Sequence, residues 1–256
     1  MNHPVQRIHF AARYAARHLL VSVAVAAVAA LLVFFVWYPS PTAQLLAVGH
    51  IYAVLLAVDV VCGPLLTLVL ASPHKSGREF FLDLSLVALI QLAALGYGMH
   101  ALYSARPVAY VFEQDRLVLI TANEVQKEAL PKALPGLQEL PWVGLRYLGT
   151  RKPRDKEEFL HSVELGLAGI SPALRPDWWL PWGDVHEALH HRSRPLAELI
   201  ERRPAEASVL ESSALAVGKP AASLSYLPVT SNKTKEWIAL LDGDLNVVGF
   251  APVDGF

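Results

Sequence analysis

The sequence is poor in cysteine and, over long stretches, in charge. Cys62 is the only cysteine among 256 residues, which excludes a scaffold held by internal disulfides. Residues 18–37 and 84–103 contain no lysine, arginine, aspartate or glutamate. A phosphate-binding glycine loop and the G-x-S-x-G motif of hydrolases are also missing, and Cys62 lies within an apolar run. The common signatures of nucleotide-binding enzymes and of nucleophilic catalysis are therefore not found.

Three apolar segments are present instead, at residues 18–37, 45–70 and 84–103. A membrane helix needs about 20 mostly apolar residues to cross roughly 30 Å of hydrocarbon. Each segment meets this length, which predicts three transmembrane helices. The middle segment contains one acidic residue, Asp59. A carboxylate at this depth costs about 2.5–3.5 kcal/mol, so we expect it to face a partner or a polar cavity.

The composition changes after residue 103. All but five of the 22 lysines and arginines, and all but three of the 23 acidic residues, lie beyond it. Residues 104–256 are long enough for one hydrophobic core and are predicted to form a separate water-soluble domain. The net charge of −1 gives no indication of a nucleic-acid partner, and none is expected.

The basic residues predict the orientation in the membrane, because arginine and lysine next to a span favour the cytoplasmic side. The tail of residues 1–17 carries three arginines and no acidic residue, which predicts a cytoplasmic N-terminus. The loop after the second span contains Lys75 and Arg78 and is expected on the same side. The third span then leads outward. The chain is predicted to be a multi-pass protein of a bacterial inner membrane, with residues 104–256 in the periplasm.

The soluble domain shows both strand and helix patterns. Branched and aromatic residues predict a hairpin from residues 107–112 and 116–121, followed by a short helix over residues 122–130. Asp155 is a predicted N-cap for a helix that ends at about Gly166. Asp242-Gly243 between two apolar runs predicts a second hairpin. The predicted fold class is an α-helical membrane bundle followed by an α+β extracytoplasmic domain.

His186-Glu187-Ala188-Leu189-His190 matches the H-E-x-x-H pattern, in which two histidines one helical turn apart bind zinc and the glutamate activates water. The pattern lies on a predicted helix, but no third ligand can be assigned, and charged residues follow directly. An exposed polar helix face is the favoured interpretation, with no metal, cofactor or catalytic residue. A membrane-anchored zinc hydrolase that uses His186, Glu187 and His190 is the alternative.

Asp59 has polar and conformationally unusual neighbours within the membrane. Gln91 of the third span is its expected partner, because the two residues lie at depths that differ by roughly 6 Å at about 1.5 Å per residue. Ser22 of the first span could join them. Gly63 and Pro64 follow in the same helix, and Pro64 removes the amide donor for the carbonyl of residue 60. Asp59, Gly63, Pro64 and Gln91 form a candidate intramembrane site, either structural or able to receive a partner helix.

Several stretches between about residues 17 and 125 resemble the type IV pilin accessory proteins of the TfpX/TfpZ family in order and spacing. The main ones are Val33-Phe-Phe-Val-Trp-Tyr-Pro39, Val58-Asp-Val-Val61, Gly63-Pro-Leu-Leu-Thr-Leu68 and Gln91-Leu-Ala-Ala-Leu-Gly-Tyr-Gly98. The resemblance implies a non-catalytic, chaperone-like accessory protein that binds the major pilin in the inner membrane and supports its stability or assembly into pili. Other pilus assembly components are further expected partners. A general envelope scaffold without pilin specificity is a third reading.

Overall fold

The computed structural model describes residues 3–73 and 75–256. The first two residues of the predicted cytoplasmic tail and His74 of the second loop lie outside the described residues. The chain divides into two units, Met1–Ser104 and Ala105–Phe256. The first unit is helical and the second is built on a mixed sheet, so the predicted combination of a helical bundle and an α+β domain is confirmed.

Three helical segments of the first unit are long and apolar enough to cross a membrane: Gln6–Trp37, Val48–Leu70 and Gly77–Ser104. The elements of the first unit are α1 (His3–Leu31), a π-helical segment (Leu32–Trp37), the short α2 (Thr42–Leu45) between the first two spans, α3 (Val48–Ala57), a second π-helical segment (Val58–Cys62), α4 (Gly63–Leu70) and α5 (Gly77–Ser104). The second span thus consists of α3 and α4 joined through a π-helical turn. A π-helical turn widens a helix by one residue and is frequent at functional sites.

Small side chains on one face of α1 allow the first two spans to approach closely. The buried residues of this face include Ala11, Ser22, Ala26 and Ala29, and α1 packs against α4. Small residues at helix interfaces favour association in lipid because they bring the backbones together. At one end of the bundle, the Tyr38 hydroxyl donates to the Leu102 carbonyl at 2.7 Å. This hydrogen bond links the loop after the first span to α5.

The second unit is organised around one mixed sheet. Its strands are β1 (Pro107–Glu113), β2 (Arg116–Thr121), β3 (Arg146–Thr150), β4 (Trp179–Pro181), β5 (Arg194–Pro195), β6 (Ser225–Thr230), β7 (Trp237–Leu241) and β8 (Val247–Ala251). The strand order is β4-β3-β1-β2-β6-β7-β8, with β5 paired to β6. The β1–β2 and β7–β8 hairpins are confirmed, whereas β1 pairs with β3 and β2 with β6 in parallel.

Helices and short 3₁₀ turns cover the sheet. The helices are α6 (Lys156–Leu167), α7 (His186–Arg192), α8 (Leu196–Arg202) and α9 (Ala207–Ala216). Leucines of α8 and α9 form one core with β6, β7 and β8. A second core lies between β1, β2 and β3 and the turns around residues 172–179. The sheet curls, since Tyr110 of β1 stacks on Phe250 of β8 with ring centroids 4.9 Å apart.

Two local predictions have different outcomes. The Asp155 N-cap is confirmed, because its carboxylate accepts a hydrogen bond from the Glu158 amide at 2.8 Å. The predicted helix over residues 122–130 is wrong. The β1–β2 pairing continues beyond Thr121, with the Ala122 amide donating to the Arg106 carbonyl, and turns follow before a 3₁₀ helix at Lys127–Lys132. Pro131 lies inside this 3₁₀ helix, where it lacks the amide hydrogen that a longer α-helix would need.

Candidate functional site

A polar cluster occupies the π-helical turn of the second span. Gln91 of α5 donates a hydrogen bond from Nε2 to the backbone oxygen of Asp59 at 2.9 Å. Pro64, the second residue of α4, has no amide hydrogen. The carbonyl of residue 59 would accept from residue 64 in π-helical register, and that of residue 60 in α-helical register. The Gln91 amide therefore supplies a donor where the second span lacks one.

Gly63 provides the space for this contact. A Cβ atom at position 63 would lie 2.1 Å from Nε2 of Gln91 and within 2.6 Å of the rest of its amide. Real atoms do not approach so closely, so any side chain at this position would push the amide away from the Asp59 carbonyl. Gly63 and Pro64 thus have complementary roles. Pro64 lacks the backbone amide donor, and Gly63 leaves space for the Gln91 side-chain amide that replaces it.

The carboxylate of Asp59 is buried, with 7% of the residue exposed. Within residues 3–73 and 75–256, its Oδ1 atom has no hydrogen-bond partner, and neither has Oε1 of Gln91. An unpaired buried acceptor costs about 1–3 kcal/mol, and more when it is charged. The described part of the chain thus leaves two acceptors of the cluster without a donor.

Ser22 of α1 belongs to the same layer of the bundle. Two contacts fix the register of the first span against the second. They join the Tyr52 hydroxyl to the Ala26 carbonyl, and His18 Nδ1 to Thr67 Oγ1 at 2.5 Å. Ser22 lies midway between His18 and Ala26 of α1. Asp59 lies close to the midpoint between Tyr52 and Thr67 of the second span. Ser22 is also buried, so all three spans contribute a polar residue at this depth.

Replacing Gly63 with alanine is expected to break the Gln91–Asp59 hydrogen bond and to destabilise the bundle by about 1 kcal/mol, as for other interhelical hydrogen bonds in membranes. Gln91→Leu should have a similar effect. The double variant should cost no more than either single variant, because both remove the same interaction. Unfolding of the purified protein in mixed micelles measures these differences.

Gly49→Ala is the matched control for this prediction. It introduces the same side chain into the same span, and its Cβ would meet nothing within 4 Å. Alanine is a better helix former than glycine, so this variant should be neutral or up to about 1 kcal/mol more stable. Equal stability of the Gly63→Ala and Gly49→Ala proteins would contradict the role assigned to Gly63.

The H-E-x-x-H residues do not form a metal site in the described chain. His186 is the first residue of α7, and the exposed His190 lies one turn later. No three histidine, cysteine, aspartate or glutamate side chains of residues 3–73 and 75–256 lie together in an arrangement that could hold a metal ion. Catalytic zinc sites use three protein ligands, and the described residues place no third ligand beside His186 and His190.

A charged cluster in the second unit has no signature in the sequence. Arg151 donates two hydrogen bonds to Glu158, at 2.8 and 2.6 Å, and this contact lowers the pKa of the Glu158 carboxyl to about 2. The guanidinium groups of Arg151 and Arg175 lie over the Trp178 ring, 4.4 and 4.6 Å from its centroid. These residues come from the loop after β3, the first turn of α6 and the turns around residues 175–178, and no local pattern indicates that they meet.

An aromatic cluster fills the curl of the sheet. Tyr110 stacks on Tyr147 as well as on Phe250, and Trp182 packs edge-on against Tyr147. Burial raises the pKa of the Tyr110 and Tyr147 phenols, so both remain protonated at neutral pH. The cluster contains no acid–base pair and serves as core packing.

The geometry defines a protein with three membrane-capable helices, a polar intramembrane cluster and an α+β domain. The chain is 35% identical over 254 residues, 98% of each chain, to a fimbrial assembly protein of serogroup I from Dichelobacter nodosus. It is 34% identical over 252 residues, again 98% of each chain, to that of serogroup E1. A third relative, of serogroups C1 and C2, is 43% identical over 128 residues, 50% of this chain and 98% of its own length.

This chain belongs to the fimbrial assembly protein family, which confirms the predicted family relationship. The family described as fimbrial assembly protein FimB also matches residues 6–47. These residues include most of α1, the π-helical segment Leu32–Trp37 and α2, and they end before the Asp59 cluster. No solved structure shows significant similarity to the chain.

Proposed function

We propose that this protein is a non-catalytic inner-membrane accessory protein that binds type IV pilin and supports pilus assembly. The naming of its full-length relatives as fimbrial assembly proteins supports a role in assembly. A pilin subunit has one apolar helix and a globular head. The three membrane-capable helices could bind the first part, and the folded domain could bind the second. Such a protein can contact both parts of its client and protect them before assembly.

The proposed orientation has the N-terminus in the cytoplasm and the α+β domain in the periplasm. Arg7 donates to the carbonyl of Val69 at 3.2 Å, so the basic tail and the second loop lie at the same end of the bundle. Lys75 of that loop pairs with Asp83 at 2.5 Å. Basic residues at one end of a bundle favour the cytoplasmic side for that end. The third span then leads to the opposite side.

The unpaired acceptors of the Asp59 cluster are the observation on which the pilin-binding proposal rests. Polar groups left without a donor in a membrane are costly and mark functional sites. A pilin helix that brings a hydroxyl, amide or ammonium group to Asp59 Oδ1 or Gln91 Oε1 would satisfy them. These hydrogen bonds would form only in the complex. Binding would therefore be selective for a helix with a donor at this depth.

An exposed apolar ridge on the second span provides a packing surface beside this cluster. Its members recur every three or four residues and are Ile51, Val54, Val58, Val61, Leu65 and Val69. Val58 and Val61 belong to the π-helical turn that contains Asp59. A helix packed along this ridge would contact the π-helical turn that contains Asp59, and that turn would have to rotate to bring the buried carboxylate to the partner helix.

A crosslinking pull-down from native membranes tests the proposal. With this protein as bait, we expect the major pilin to be enriched in the eluate over a bait of equal abundance, such as an unrelated three-span inner-membrane protein. Failure to recover pilin, with pilin present in the same membranes and the bait well recovered, would contradict the proposal. A general envelope scaffold without pilin specificity would then be the better interpretation.

A further inference from the structure

The loop before β3 exposes apolar side chains at its tip. Trp142 is 61% exposed and Val143 is 51% exposed. Residues 141–144, which we name the Trp142 tip, contain no charged residue. A tryptophan so exposed in a domain with well-filled cores is unusual, because large aromatic side chains contribute strongly to stability when they are buried. The tip therefore has the composition of a contact surface.

Strand directions place the Trp142 tip at one end of the sheet. Because β1 and β3 are parallel, with Ala109 opposite Arg146, the residues that precede them lie at the same end. Arg106, just before β1, fixes this arrangement by donating to the Pro141 carbonyl from Nε at 3.2 Å and from Nη2 at 3.0 Å. The tip thus begins at a residue bonded directly to Arg106.

Arg106 follows the third membrane-capable helix after a very short connection. That helix ends at Ser104, and β1 begins at Pro107. An extended chain covers at most about 3.6 Å per residue, so Arg106 can be no more than about 7 Å from the end of the span. A bilayer with its headgroups is about 40–45 Å thick, and the 28 residues of the third helix at about 1.5 Å each cover about 42 Å. The Arg106–Pro141 contact is thus joined to the end of that helix through two residues of backbone.

We propose that the Trp142 tip inserts into the lipid headgroup region next to the third span and docks the α+β domain on the membrane surface. Tryptophan prefers this region because its ring is apolar and its indole N–H can bond to headgroups or water. Val143 adds apolar area, and the uncharged tip avoids the cost of burying a charge. The proposal requires the third helix to span the membrane and does not depend on pilin binding.

Lipid contact can be measured with a fluorophore attached by a maleimide to a Val143→Cys variant of the full chain, reconstituted in nanodiscs without pilin. Nitroxide groups placed at a shallow depth in the lipids quench a nearby fluorophore. The unsubstituted protein, whose single cysteine lies in the second span, measures the background label. We expect several-fold stronger quenching at position 143 than at a control position in water.

Asp244→Cys is the matched control. Asp244 is exposed in the β7–β8 turn, where its backbone amide donates to Asp242. Since β2 is antiparallel to β1, β6 parallel to β2, and β7 antiparallel to β6, β7 runs away from the end of the sheet that carries Arg106 and leads into this turn. The turn is anchored by Leu245, whose carbonyl accepts a hydrogen bond from the Trp182 indole at 3.2 Å.

Further variants and conditions make the test specific. Trp142→Ser in the Val143→Cys protein should reduce quenching toward the Asp244 level, whereas high salt should leave it unchanged because the tip is uncharged. Weak quenching at both positions would overturn the proposal. Strong quenching at both positions, or release by salt, would indicate another mode of membrane contact and would also overturn it. Protection of position 143 only after pilin is added would indicate a protein contact instead.

Discussion

Replacing Asp59 with leucine is expected to leave the bundle at least as stable as before while pilin binding weakens. Removing an unpaired buried carboxylate relieves its desolvation cost, and an apolar side chain of similar volume is often neutral or stabilising at such a site. A hydrogen bond between two helices within a membrane contributes about 1–2 kcal/mol, so its loss should lower the affinity for pilin by roughly 5- to 30-fold. The crosslinking pull-down and an unfolding measurement in micelles together report both effects.

Asp59→Asn separates charge from polarity at the same position. Asparagine keeps an acceptor oxygen and loses the charge, so it should retain part of the binding that leucine abolishes. Normal pilin recovery and normal piliation in both variants, at normal abundance of the accessory protein, would contradict a binding role for Asp59. If both variants lowered the abundance of the protein itself, Asp59 would instead be a structural residue of the bundle.

The second large effect is expected for Trp178→Ala. Trp178 is 2% exposed, and truncation of a buried tryptophan costs about 3–5 kcal/mol. Arg175 would also lose its stacking partner while it stays buried, with Nη1 already unpaired among the described residues. The urea concentration at which a short protease pulse cleaves half of the domain, in the full-length protein in detergent, measures the loss.

Trp142→Ala is the matched control for Trp178→Ala, because it removes the same side chain from the same domain. Its ring is exposed, so in detergent the change should stay within about 0.5 kcal/mol. A similar cost for the two variants would show that burial and the contacts of the arginines do not explain the role of Trp178.

The local features of the domain could be predicted, and the long-range pairings could not. Asp242-Gly243 and the alternating runs around Gln114-Asp115 carry the chemistry of tight turns, so both hairpins were accessible from sequence. The parallel pairing of β2 with β6 joins distant segments and leaves no local signal. The helix predicted over residues 122–130 is wrong because residue 122 still pairs with Arg106 as an extension of the β1–β2 hairpin, and turns follow it.

The same distinction holds for the intramembrane site. Asp59 and Gln91 stand out in apolar segments, and Pro64 indicates a missing donor in the second span. From the sequence, α-helical register predicts that the freed carbonyl is that of residue 60 and that Gln91 is a partner of Asp59. The structure has Gln91 bonded to the backbone oxygen of residue 59, because the helix changes to π-helical register there. Such a change depends on packing against another helix and has no signature of its own.

The stacking of Tyr110 on Phe250 has a consequence for how the domain folds during synthesis. The β1–β2 hairpin emerges from the ribosome early, yet the strands that cover its free side, β6 to β8, come last. Until they arrive, β2 has an open edge that can pair with other chains or admit a protease. Folding of this domain is therefore expected to be late and all-or-none, and nascent chains that stop before β6 should be degraded rather than accumulate as folded intermediates.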